Sequence, residues 1–277
     1  MANMRLITLT TDFGLEDAYV GIMKGVILGI NPAASIVDLC HAIPPQDVRA
    51  AAFLLHTAWR YFPPGTIHVV VVDPGVGSQR RAIAVNVGTA TFLAPDNGVL
   101  SYVLAGMEEQ RAQAVHLTNQ WYWLSRVSAT FHGRDIFAPV AAHLSLGVLL
   151  VELGEPLPLG ELVTFPLPLP EHLGDGGWVG HVVHVDHFGN LVTDLEAEAI
   201  GDAQAVTIEV GGQRIIGVRR TYAEGVQGEP MALIGSSGCL EIAVPGGQAA
   251  RWLKAQIGDP VRLYRMKPIL DTEEQSR

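Results

Sequence analysis

The sequence is short of basic residues, of cysteine and of long apolar runs. Its 277 residues include 18 Lys and Arg against 28 Asp and Glu, a net charge of −10. A surface of that sign repels nucleic-acid phosphates at long range, which disfavours a nucleic-acid role and suits a cationic or zwitterionic ligand. Two cysteines, Cys40 and Cys239, are too few for a disulfide framework or a thiolate zinc site. No run of about 18 apolar residues free of charge and turn residues occurs, which argues against a membrane span. The first ten residues lack the apolar stretch and small-residue cleavage site of a signal peptide, so a soluble, cytoplasmic protein is expected. What is abundant is apolar: 48% hydrophobic against 17% charged residues. That balance excludes a disordered chain and points to strands buried on both faces, as in parallel sheets.

Strands and helices alternate through the first half. Leu6–Leu9, Ser35–Leu39, His68–Val72, Ala82–Val87 and Thr91–Ala94 read as strands. Val20, Met23, Val26, Ile27 and Ile30 have helical spacing and stop at Asn31-Pro32. Asp47 starts a second helix through Tyr61, and shorter helices follow over Val99–Leu104 and Ile136–Leu146. The β-branched run His68–Val72 has the character of a central buried strand. This order predicts an α/β domain with a mostly parallel sheet flanked by helices over residues 1–156. Five prolines between Pro156 and Pro170 then suggest a linker, residues 157–175, outside any sheet or helix. Residues 176–277 carry short strands separated by turns, the pattern of a smaller all-β, barrel-like domain.

Acidic residues stand just past predicted strand ends: Asp12, Asp73 and Asp96. Ligands collect at the carboxyl ends of strands in open α/β sheets, so a polar pocket is expected there. Asp17 is explained equally well as a helix-start carboxylate. In Asp73-Pro74-Gly75-Val76-Gly77-Ser78-Gln79-Arg80-Arg81 a carboxylate closes an apolar strand, where burial without a partner is costly. Arg80 or Arg81 can fold back onto it, as an ion pair that closes the loop or as part of a site. His132 precedes a helix within Phe131-His132-Gly133-Arg134-Asp135. No histidine pattern has zinc-ligand spacing, and no metal or cofactor is expected. In the second half, Asp186-His187-Phe188-Gly189-Asn190 is a turn whose Asn190 amide could read an adenine edge, or serve the turn itself. Gly235-Ser236-Ser237-Gly238 has the same ambiguity. Neither a P-loop nor a dinucleotide fingerprint is present.

The order of these motifs resembles the SAM hydroxide adenosyltransferase family, related to the adenosyl fluoride and chloride synthases. The segments that carry the likeness are Thr11–Gly14 through Gly25, Val72–Gly77, Ala94–Gly98, Phe131–Asp135, Asp186–Asn190 and Ser236–Ala243. The resemblance implies hydrolysis of S-adenosyl-L-methionine (SAM) to adenosine and L-methionine. It implies a homotrimer with each site between the amino-terminal domain of one subunit and the carboxy-terminal domain of the next. The family's catalytic Asp-Arg-His set falls on Asp73, Arg80 and His132, a set that the halide-using relatives do not keep. Ribose falls to Asp12, and the methionine end to Asp17 and Ser237. Adenine falls to Asn190, Phe188, Tyr222 and backbone near Val244 and Gly246. Asp186 and Ser236 complete the substrate-binding set. Pro245 departs from the family's usual Asn, and Gln46 stands where halogenating relatives have an aromatic nearby. Three other functions compete: an adenosyl halide synthase, a magnesium-dependent phosphohydrolase using Asp12, Asp17, Asp73 and Asp96, and a non-catalytic adenosine or SAM binder.

Overall fold

A computed structural model describes residues 5–107, 112–174, 176–201, 203 and 205–265. The chain divides into two compact units, Met1–Leu167 and Pro168–Arg277. Among the described residues, no helix is long and apolar enough to cross a membrane.

The first unit is built from β1 (Leu6–Thr11), α1 (Tyr19–Ile30), β2 (Ser35–Cys40), α2 (Val48–Ala58), β3 (Thr66–Val71), β4 (Ala82–Asn86), β5 (Ala90–Pro95), α3 (Ser101–Ala105), β6 (Gln113–His116), α4 (Ala138–Ser145) and β7 (Glu155–Leu157). The strand order is β2-β1-β3-β5-β4-β6-β7. β2, β1, β3 and β5 pair in parallel, and the β5–β4, β4–β6 and β6–β7 pairs are antiparallel. Five of the seven strands therefore run the same way, so the sheet is mixed but mostly parallel, and β3 is an interior strand, as its β-branched run predicts.

Alternation along β3 sorts its side chains into two layers. Ile67, Val69 and Val71 pack with Met23 and Ile27 of α1 and Val140 and Ala141 of α4. Val70 faces the other way, with Ala51, Ala52 and Leu55 of α2. α1 buries Val20, Met23 and Ile27, the stripe its spacing predicts. Asp47 caps α2, its side chain accepting from Ala50 N at 2.9 Å. The predicted Ile136–Leu146 helix is different in kind. Gly133–Phe137 forms a π-helical turn that leads into α4, a device frequent at functional sites.

The proline-rich segment is not free chain throughout. Pro156 lies in β7, opposite Val115 of β6. A terminal strand tolerates proline because one of its edges carries no ladder. Leu157 and Leu162 are buried in the first unit's core, and Val163 N donates to Asp96 Oδ1 at 2.8 Å.

The second unit comprises β8 (Glu171–His172), β9 (Trp178–Val185), β10 (Leu191–Glu196), α5 (Ala197–Ile200), β11 (Val206–Val210), β12 (Gln213–Ile216), β13 (Met231–Ile234), β14 (Cys239–Ala243), α6 (Ala249–Leu253) and β15 (Pro260–Arg265). Its antiparallel order is β12-β11-β15-β9-β10-β14-β13, with β8 beside β9. A bridge between Arg219 and Leu233 links the two ends of that order, so the sheet is nearly closed. Val206, Ile208, Val210, Leu240, Ile242, Val261 and Leu263 alternate inward to fill it.

His68 is the one basic side chain in β3, and it is fully buried. Its Nδ1 pairs with Thr8 Oγ1 at 2.8 Å, and its ring stacks on Phe92 with centroids 5.1 Å apart. Burial drives its pKa from 6.5 down to about 4. The unfolded chain thus binds a proton that the folded chain refuses, and stability present above pH 6.5 is lost as pH falls toward 4. The loss from His68 should approach 3 kcal/mol, on the order set by the size of the shift. Urea midpoints at pH 7, 5.5 and 4 check this. His68→Phe, which keeps the stacking, should flatten the slope relative to wild type. An equal slope in that variant contradicts the assignment.

Candidate active site

The loops after β1, β2 and β3, together with the 130–133 segment leading into the π-turn, build a cleft of about 390 Å3, lined by Asp12, Phe13, Tyr19, Gln46, Asp73, Phe131 and His132 among others. This volume lies in the range of small-ligand pockets. Phe13, Tyr19 and Phe131 pack edge-on or tilted against each other, with centroids 5.2–5.7 Å apart, and form its aromatic wall. Sequence reasoning passed over these three rings. Their only signal is that each flanks a polar motif.

The loop after β3 turns tightly. Ser78 Oγ accepts from Arg80 N at 3.2 Å and donates to Gly75 O at 2.7 Å. The return swings Arg80 back over Asp73. Arg80 Nε donates to Asp73 Oδ1 at 2.9 Å, and Nη2 donates to Oδ2. The same Nη2 lies 2.7 Å from His132 Nδ1. Both ion-pair side chains are nearly buried, 9% exposed for Arg80 and 5% for Asp73. Asp73 and His132 line the cleft, whereas Arg80 is not among the lining residues and braces both from behind. A guanidinium only donates, so His132 Nδ1 accepts and the ring proton sits on Nε2. Burial, then the Arg80 charge, hold the His132 pKa below its usual 6.5.

Behind His132, the fully buried Asp135 accepts from Ser128 N at 2.8 Å and from Arg134 Nε at 2.6 Å. It ties the 128–131 segment to the π-turn. Asp12, at the end of β1, lines the cleft, and its Oδ2 accepts from Gln46 N at 2.7 Å.

Two acids expected in the pocket are placed elsewhere. Asp96 is buried against Arg81, whose Nε donates to it at 2.8 Å. Arg81 therefore serves Asp96, and Arg80 serves Asp73. Asp17 is exposed and does not line the cleft. Of the four carboxylates in the competing phosphohydrolase reading, Asp12 and Asp73 line the cleft and Asp17 and Asp96 do not. Among the described residues, no group of three or more His, Cys, Asp or Glu side chains is placed to hold a metal ion.

The second unit gathers a polar cluster of its own. Asp186 accepts from Asn190 N at 2.7 Å and from Asn190 Nδ2 at 3.0 Å. Among the described residues, the side-chain carbonyl and second N–H of Asn190 have no partner. Tyr222 OH donates to Glu241 Oε1. Burial and the Asp186 charge push the Glu241 carboxyl up, against the Tyr222 bond. Burial and the same hydrogen bond raise the Tyr222 phenol. Glu241 was missed as a site residue. Its signal was a carboxylate within an otherwise apolar strand, on the face opposite Leu240 and Ile242. Phe188 is 71% exposed, and Ser236 and Ser237 sit on an exposed turn. Val244 is buried in the core, so only its backbone can meet a ligand. Gly246 has φ +73 and lies close against the Gln227 side chain.

A cleft outside the carboxyl ends of parallel strands, with an Asp-Arg-His relay and an aromatic wall, defines a small-ligand α/β protein with enzyme-like polar machinery. Residues 7–154 match the SAM hydroxide adenosyltransferase N-terminal domain, and residues 180–262 match the corresponding C-terminal domain. The chain is 42% identical to an (R)-S-adenosyl-L-methionine hydrolase of Thermus thermophilus, over 94% of this chain and 100% of the relative. It is 40% identical to one of Salinispora tropica, over 95% and 99%. A crystal structure of an uncharacterized conserved protein from Thermotoga maritima superposes with a TM-score of 0.87 at 36% identity, covering 94% of this chain and all of that one. The chain belongs to the SAM hydroxide adenosyltransferase family.

Proposed function

We propose that the protein hydrolyses S-adenosyl-L-methionine to adenosine and L-methionine, with water or hydroxide attacking the ribose C5′. The observation that carries this reading is the Asp73–Arg80–His132 arrangement at a cleft in a chain about 40% identical to SAM hydrolases.

The sulfonium leaves as a neutral thioether and needs no general acid. What the site must supply is an oriented oxygen. His132 Nε2–H donates to that oxygen, and Asp73 accepts from it. A carboxylate is a weak base, yet it suffices. Once the C–O bond forms, the attached water is strongly acidic and gives up its proton readily. Arg80 orients the Asp73 carboxylate, burial and the Arg80 charge hold His132 neutral, and the aromatic wall excludes competing water.

Asp12 holds the ribose in this reading. Asn190, Phe188, Tyr222 and backbone at Val244 and Gly246 receive adenine. Asp17, Asp186, Ser236 and Ser237 receive the methionine end, with Glu241 beside Asp186. Asp12 and Asp17 belong to one unit and the other residues to the second, which suits a homotrimer whose sites are each completed by a neighbouring subunit. A cytoplasmic location suits the substrate.

Incubation with SAM, with and without chloride, followed by chromatography of nucleosides, tests the reading. Adenosine and methionine in equal amounts, unaffected by chelator, are expected. Accumulation of a 5′-halo nucleoside points to halide transfer, and binding without turnover points to a sensor.

A further inference from the structure

Asp12 presents its carboxylate from a turn, and the bonds that fix this turn come from the neighbouring strand. β1 ends at Thr11, and the chain reverses through Asp12, Phe13 and Gly14, with φ +67 at Gly14. His41, just past β2, is 5% exposed and grips the turn twice. Its carbonyl accepts from Gly14 N at 2.8 Å. Its Nδ1 lies 2.9 Å from Thr11 Oγ1.

Thr11 Oγ1 also accepts from Phe13 N at 3.2 Å. Asp38 Oδ1, which can only accept, lies 3.1 Å from His41 Nε2, off the line of a hydrogen bond but close enough for its charge to favour the ring proton there. Nδ1 is then the acceptor, and the Thr11 hydroxyl donates to it while its oxygen accepts from Phe13 N. The other oxygen of Asp38 pairs with Lys24 Nζ of α1 at 2.6 Å. The chain Lys24–Asp38–His41–Thr11 stops at the residue before Asp12. From the opposite side, Gln46 N holds Asp12 Oδ2, with Gln46 itself at φ +66. Among the described residues, Oδ1 of Asp12 has no such partner and is left for a hydroxyl.

We infer that His41, in the tautomer set by Asp38, is a positioning residue that holds the Thr11–Gly14 turn so that Asp12 meets the ribose hydroxyls. His41 and Asp38 do not line the cleft, so their action passes through Thr11. The inference rests on the SAM-hydrolase reading only for the identity of the sugar.

The test uses the full chain, with steady-state kinetics on SAM and calorimetric binding of adenosine. His41→Ala and the near-isosteric Thr11→Val should each raise KM and the adenosine Kd about tenfold, the scale of one lost buried hydrogen bond, with kcat held within about threefold. The double variant should be no worse than the poorer single one, because both remove the same contact. His41→Asn, which returns an acceptor near the Nδ1 position, should recover most of the affinity. Normal adenosine binding in Thr11→Val overturns the inference. So does a fall in kcat at unchanged KM, or an Asn variant as impaired as Ala. If His41→Ala does not fold, Thr11→Val decides alone. A wild-type protein that binds adenosine but leaves SAM intact defeats the hydrolase reading and leaves the binding comparison standing. A wild type that binds no adenosine defeats both.

Discussion

Asp73→Asn should lower kcat for SAM by about a thousandfold, within the range for loss of one positioned acid–base group, while KM stays within about threefold. The oxygen nucleophile is what the variant loses, and the nucleoside contacts are untouched. His132→Ala should fall to a similar level, and the double variant should be little worse than either. Groups that act on one oxygen through a shared guanidinium work as a unit. The pH dependence carries a separate sign. His132 Nδ1 accepts from Arg80, so protonation there places an imidazolium against a guanidinium. Because burial and Arg80 hold the His132 pKa below 6.5, kcat should be flat near neutrality and decline only at more acidic pH. His132→Ala should lose that acid limb. A raised KM at normal single-turnover rate in either variant, or a wild-type limb at or above pH 6.5, contradicts the assignment. Melting curves must accompany the kinetics, since breaking a buried ion pair commonly costs about 3–5 kcal/mol.

Gly77→Ala should be the most damaging single methyl group in the Asp73–Arg80 loop. Gly77 has φ +77, and a Cβ there would lie 2.2 Å from the backbone oxygen of Ala129. Neither side can yield cheaply. One is the turn between Asp73 and Arg80, and the other is the segment that Asp135 ties to the His132 turn. Backbone strain and overpacking together should cost about 3–4 kcal/mol. The displaced loop should also pull Arg80 away from Asp73, so activity should fall well below what the folded fraction explains. Gly212→Ala separates the two causes. Gly212 has φ +72 with no atom within 4 Å of the added methyl, and should lose only about 1–2 kcal/mol from strain. Equal losses in the two variants by urea denaturation would remove the collision from the account.

Much of the fold was legible because local rules governed it. The apolar spacing of α1, the Asp47 cap and the β-branched run of β3 are short-range signals, and the structure follows them. β6 and the brief helices α5 and α6 were not seen. Elements of four or five residues complete too few periods to rise above the background. Leu157 and Glu171–His172 fall in the expected linker but lie in β7 and β8, because a proline-rich segment is barred from central strands, not from an edge whose position depends on the partner.

The candidate site divides along the same line. Spacing and residue types were enough for the fold class, the motif order and the available chemistry: carboxylates past strand ends, a guanidinium pair and a histidine before a helix; the family resemblance grouped Asp73, Arg80 and His132. Tertiary contacts alone reveal that one guanidinium nitrogen of Arg80 reaches both Asp73 and His132, that Arg81 serves Asp96, and that Asp17 does not line the cleft. The reason is distance along the chain. Turn chemistry and periodicity act over a few residues. The meeting of Arg80 with His132, 52 positions apart, depends on the strand order and the π-turn, and no local pattern encodes either.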